Sequence, residues 1–114
     1  LYIEPNGTWR IIAPIDKGPQ EYGAGGEIAI LLSKDEGRTW NRIQSITQDS
    51  TLNHGYVRRP RNAHEDFYGF WADGDPDSLS ESQLYFTDKS GKQVRRLPYY
   101  MVNKIAVPDA MTNK

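Results

Sequence analysis

The chain has no cysteine among its 114 residues. That excludes a disulfide framework and any thiolate metal site, and it leaves the redox compartment unmarked. No apolar run approaches the ~20 residues that span a bilayer as a helix, so a membrane is not an expected partner. Charge of one sign is missing too. Fourteen Lys and Arg stand against 15 Asp and Glu, for a net charge of −1, which gives no overall attraction to nucleic acid or to an anionic membrane. The basic clusters Arg58-Arg59-Pro60-Arg61 and Arg95-Arg96 occur without any RNA- or DNA-binding motif, so nucleic acid is not expected either. There is no initiator Met, and the opening Leu-Tyr-Ile-Glu reads like the middle of something longer.

Helical periodicity is nearly absent, whereas strand and turn signals are dense. Thr8 to Pro14, Glu27 to Leu32, Thr39 to Thr47, Tyr56 to Arg59, Phe67 to Ala72, Gln83 to Phe86 and Gln93 to Leu97 are short β-rich runs separated by Gly, Pro, Asn and Asp. This pattern predicts an all-β fold. Charged residues at 25% and hydrophobic ones at 37% describe a folded globular surface rather than a disordered chain.

One octapeptide is more informative than the rest: Ser33-Lys34-Asp35-Glu36-Gly37-Arg38-Thr39-Trp40. Apolar Ile28, Ile30 and Leu32 lead in and Trp40, Arg42 and Ile43 lead out, so it joins two strands. Gly37 can take a φ > 0 turn position without steric cost, and Asp35 can accept hydrogen bonds from its own turn. Ser33 and Thr39 can tie the arms together, with Trp40 folded back as an apolar plug. Setting Gly37 over Gly91 gives an offset of 54 residues that also aligns Ser33 with Thr87, Ile30 with Leu84 and Arg42 with Arg96. The second copy is worn, with Lys89, Gln93 and Val94 where the first has Asp35, Thr39 and Trp40. Upstream, Trp9 to Ala13 corresponds loosely to Phe67 to Trp71, with a loop about four residues longer in the first copy. Each unit is then strand, loop, strand, tight turn, strand, with Tyr56 to Arg58 as the innermost strand of the second.

The octapeptide resembles the Asp-box, or BNR repeat, of sialidase-like β-propellers. Residues 22–29, 56–60, 62–64, 66–74 and 80–86 resemble the BNR-4 branch, which occurs in bacterial polysaccharide-processing proteins such as ulvan-lyase-like propellers. The likeness covers residues 7–98. It implies about two four-stranded blades, residues 1–47 and 52–98, with 99–114 a C-terminal extension or the start of a next blade. Two blades cannot close a ring, so the implied partners include the rest of a propeller or other copies of the chain. An independent seven-stranded β-sandwich is the alternative fold. The resemblance also implies an extracellular or periplasmic location and an acidic carbohydrate as ligand.

In a propeller the loops Asp16 to Gly26, Gln48 to Tyr56 and Asp73 to Ser80 would share one face, with the Asp-box turns opposite. His54, Tyr56 and Arg58 alternate, so they are expected to line one pocket as candidate catalytic residues. An Arg presents a rigid fork to a carboxylate, and Tyr or His could transfer a proton. Arg59 and Tyr22 are candidate ligand-binding residues, Tyr22 as a stacking ring in a glycine-rich loop. The competing reading pairs Arg58 and Arg59 with carboxylates of a neighbouring blade and has Tyr56 fill the core between blades. Asp73-Gly74-Asp75-Pro76-Asp77 has a calcium-loop look, but it carries Ser78 at the sixth position and Leu84 at the twelfth. No metal or cofactor is expected. The functions implied are a polysaccharide lyase, which needs an Arg to neutralise the uronate and a Tyr or His to take its C5 proton, or a sialidase-like hydrolase. The alternatives are a non-catalytic glycan-binding propeller and a structural fragment.

Overall fold

Strands alone make up the regular structure of residues 1–111, the part described by the structure, a computed structural model. In chain order they are β1 (Tyr2–Ile3), β2 (Trp9–Pro14), β3 (Ile28–Ser33), β4 (Asn41–Ser45), β5 (Asn53–His54), β6 (Gly69–Gly74), β7 (Leu84–Thr87), β8 (Val94–Arg96) and β9 (Asp109–Met111). They form two antiparallel sheets, β1-β2-β3-β4 and β5-β6-β7-β8-β9. The chain is all-β, as expected. The second sheet carries a fifth strand, because residues 109–111 return to pair with β8. Of the expected C-terminal stretch 99–114, residues 112–114 lie outside the described residues.

The sheets meet over a small apolar core. Ile28, Ile30 and Ile46 from the first sheet pack with Trp71 and Val94 from the second. Burying a side chain of this size contributes roughly 1.5–3 kcal/mol. β3 is central and apolar on both faces, and Ile28, Ala29 and Ile30 are all fully buried. β6 alternates instead, with Trp71 inward and Phe70 outward. That period-2 pattern belongs to a strand buried on one face.

The turn between β3 and β4 is held by its own side chains. Asp35 Oδ1 accepts from Ser33 Oγ and from Thr39 N, each at 2.8 Å, and Asp35 Oδ2 accepts from Thr39 Oγ1 at 2.6 Å. Gly37 N donates to Ser33 Oγ at 2.8 Å, and the Trp40 indole donates to Gly37 O at 3.0 Å. Gly37 has φ +84, and an added Cβ would lie 2.8 Å from the Trp9 ring. Trp40 is half-buried rather than enclosed.

The second turn repeats this with a shift. Gly91 takes φ +74, but the organising carboxylate is Asp88, not the residue at the Lys89 position. Asp88 accepts from Ser90 Oγ at 2.6 Å and from Gln93 N at 3.1 Å. An acceptor one residue earlier can close the same loop. Upstream, Trp9 pairs with Ser33 where Gly69 pairs with Thr87, so Trp9 corresponds to Gly69 and not to Phe67.

The expected innermost strand at Tyr56 to Arg58 is also displaced. β5 pairs Asn53 with Gly74 and His54 with Asp73, and Gly55 N then donates to Ala72 O at 2.7 Å. The next contact is Arg58 with Phe70. Tyr56 and Val57 therefore both stand opposite Trp71, which is a β-bulge.

Two outcomes test this frame. An added Cβ at Gly91 would sit 2.7 Å from Ile30 Cδ1 and 3.0 Å from Ile46 Cγ1, so Gly91→Ala should cost about 1–3 kcal/mol in a denaturation titration, the usual range for overpacking. An unchanged midpoint would contradict that close approach. Hydrogen bonds from the Thr39 hydroxyl, the Thr39 amide and the Ser33 hydroxyl bring the Asp35 carboxyl from 3.8 to about 2. The stability this lends is present above the unfolded value and is lost as pH falls through the folded one. Wild type should lose stability more steeply than Asp35→Asn between 3.8 and about 2. Parallel acid curves would show that the carboxylate does not hold the turn.

Candidate functional site

The bulge decides which side chains are available. A uniform strand would put residues 54, 56 and 58 on one side. One extra residue switches the parity, so His54 and Val57 turn to the core while Tyr56 and Arg58 turn out. His54 is 3% exposed and Tyr56 is 74% exposed, with Arg58 also exposed. The three expected catalytic residues are therefore not brought into one pocket.

His54 sits in a closed chain of hydrogen bonds. Trp71 Nε1 can only donate, and it lies 3.0 Å from His54 Nδ1. Nδ1 is therefore the acceptor, and the proton of the neutral ring is on Nε2. His54 Nε2 then donates to Ser50 Oγ at 2.8 Å, and Ser50 Oγ donates to Glu27 Oε2 at 2.8 Å. Glu27 also accepts from Thr47 Oγ1 and from Ser50 N. Burial alone would raise the Glu27 carboxyl, but the bonds from Thr47 and Ser50 outweigh it and hold it below the ordinary range. Burial lowers the His54 pKa, and the nearby Glu27 and Asp73 carboxylates offset only part of this. Ser50 and His54 resemble a nucleophile and base in spacing. The tautomer runs the wrong way, since a ring that donates from Nε2 cannot take the serine proton. Tyr85 is likewise unsuited as a base: burial and its bond to Asp73 Oδ2, 2.8 Å long, push its hydroxyl up. A cavity of about 200 Å³ lies beside this network, but the polar groups of Ser50, His54, Asp73 and Tyr85 are spent on one another.

The three loops expected on one face do converge. Asn53 Oδ1 accepts from Gln20 N at 3.0 Å, Asn53 Nδ2 donates to Tyr22 O at 2.7 Å, and Gly25 and His54 exchange backbone bonds. A Cβ on Gly23 would touch Pro76 at 3.0 Å. Tyr22 stands out from this face, 66% exposed.

Arg58 and Arg59 lie at the other end of the same segment, on a cavity of about 280 Å³ shared with Tyr2, Arg10 and Tyr68. The Arg59 guanidinium lies over two rings, 3.6 Å from the Tyr2 centroid and 4.8 Å from that of Tyr68. Cation–π contact with two rings holds the group in place. Arg59 Nη1 donates to Pro60 O at 3.3 Å, while Nε is buried with no hydrogen-bond partner. Arg10 is paired with Glu4 at 2.6 Å. Among the described residues neither Arg58 nor Arg59 is paired with a carboxylate.

Arg10, Tyr2 and Tyr68 were not expected at the site. Their signal in the sequence is the Asn6-Gly7 turn, which makes β1 and β2 a hairpin and sets Tyr2 opposite Arg10. Comparison with protein-family profiles, with curated proteins and with solved structures finds no match to this chain.

The His54 network gives a pH dependence of definite sign. A lowered folded pKa means that the neutral ring is the folded form, so its stability is present above the ordinary value of 6.5 and is lost as pH falls below it. The ¹⁵N shifts of the His54 ring should show the neutral Nε2–H tautomer at pH 6.5, with unfolding favoured on further acidification. A protonated ring in the folded protein at that pH would overturn the assignment.

Proposed function

We propose that the two sheets are successive blades of a BNR-type propeller and that the Arg58–Arg59 pocket recognises the carboxylate of an acidic sugar. The observation that carries this is a pair of guanidinium groups on one cavity with no carboxylate partner among the described residues, one of them over two tyrosine rings. A planar guanidinium binds a carboxylate through two parallel hydrogen bonds, and Arg58 is the exposed one of the two. The paired side-chain-stapled turns with positive-φ Gly37 and Gly91 support the blade reading. Exposed apolar residues such as Ile3, Val102 and Ile105 support further sheets or other copies of the chain as neighbours.

Recognition is favoured over catalysis within these two sheets. His54, the expected proton-transfer group, is buried and committed at both nitrogens. A lyase or glycosidase on this frame would take its acid and base from other residues.

Titration calorimetry with galacturonate, glucuronate and sialic acid, and with galactose as the neutral control, tests the proposal. Charge-assisted contacts of roughly 1.5–3 kcal/mol predict that Arg58→Ala weakens the acidic sugar about tenfold or more. Galactose binding should not change. Equal loss for both sugars would indicate collapsed packing, and unchanged affinity for the acid after Arg58→Ala and Arg59→Ala would end the proposal.

A further inference from the structure

β9 reaches β8 by a long route. Its register sets Asp109 opposite Arg96, with an ion pair of 3.6 Å between them, and Ala110 opposite Arg95. Antiparallel neighbours placed like this are commonly joined by about two to five residues. Here twelve residues, 97–108, make the connection, and none of them is in regular structure. Pro98 and Pro108 stand near its two ends. Proline has no N–H to give to a ladder, so the pair cannot lengthen toward a tight turn.

The connector is apolar where a surface loop is ordinarily polar. Tyr99, Tyr100, Met101, Val102, Ile105 and Val107 are exposed, Val102 at 88% and Ile105 at 83%. Among the described residues no hydrogen bond ties residues 98–108 to the sheets. β9 itself is well seated, since Met111 packs against the core and lines the cavity beside His54. The strand has a fixed place and its connector has none.

We infer that β9 is exchanged between two copies of the chain, each laying residues 109–111 on the β8 of the other, with the two connectors packed together. Straightened, twelve residues span roughly 40 Å, enough to cross to a neighbour. The exchange keeps every contact that β9 makes, because the receiving β8 is identical. It also buries connector side chains that the closed chain leaves in water. Another partner would have to bring its own surface for the connector, whereas a second copy supplies the matching strand and a matching apolar segment together. Met111 of the second copy then closes the cavity beside His54. None of this rests on the acidic-sugar reading, because Arg58 and Arg59 lie on a different cavity.

The chain has no cysteine of its own, so one introduced pair reads the exchange directly. Arg95→Cys and Ala110→Cys in the same chain place two thiols opposite each other across β8 and β9, within the range a disulfide can bridge. After gentle oxidation, a denaturing gel run without reductant should show the linked product at twice the 13.0 kDa of one chain. A link at the mass of a single chain would place β9 on its own β8 and overturn the inference. No link at either mass would show β9 off β8 altogether and overturn it as well. Light scattering of the unaltered chain over a dilution series gives an independent reading, and a dimer is expected. The mass of a single chain throughout the series would also overturn the exchange. Val102→Ser with Ile105→Ser should raise the dimer dissociation constant about tenfold or more, and an unchanged constant would contradict the packing of the connectors between copies.

Discussion

Burial of His54 between the two sheets is the constraint on which the rest depends. An imidazole taken out of water needs both nitrogens satisfied. Here one accepts from Trp71 on β6 and the other donates to Ser50 on the connection from the first sheet. Ser50 in turn reaches Glu27, the residue just before β3. One chain of polar groups thus links the loop before β3, the inter-sheet connection and the second sheet. Such a network is stable only when every member is paired, because the low dielectric that strengthens each bond also makes an unpaired group costly. The ring that could have been a catalyst is thereby committed to structure.

The same anchor sets the exposure of residues 56–59. With His54 turned inward, the bulge at Tyr56 and Val57 lets Val57 join the core and points Tyr56 and Arg58 away from it. Arg59 then returns toward β1 and β2, where Tyr2 and Tyr68 receive it. An overall charge of −1 conceals this local cationic site. Arg10 on the same cavity is paired with Glu4, and among the described residues Arg58 and Arg59 have no carboxylate partner.

Much of the frame was legible in the residues. Short apolar runs between Gly, Pro and Asn marked the strands, and Ser33, Asp35, Gly37 and Thr39 announced a turn tied by its own side chains. The alignment of Gly37 with Gly91 located the second turn, although the acceptor there is Asp88, since alignment assigns positions and not which neighbour can reach an amide. The candidate site was less legible. Period-2 spacing placed His54 with Tyr56 and Arg58, and nothing in the local residues reports one extra residue opposite Trp71. That residue count depends on how β5 and β6 pair. Arg10 and Tyr2 enter the pocket through a hairpin, and Tyr68 enters from a distant segment. Only cross-strand register brings them together.

The central claim is that Arg58 and Arg59 hold a sugar carboxylate. Side-chain NMR of the arginine Nε–H groups during titration with galacturonate examines it most directly, because each guanidinium gives its own signal. The account predicts saturable shifts of the Arg58 and Arg59 signals, and no such shift with galactose. Signals from both arginines that stay fixed while the protein binds the acid through other residues would contradict it.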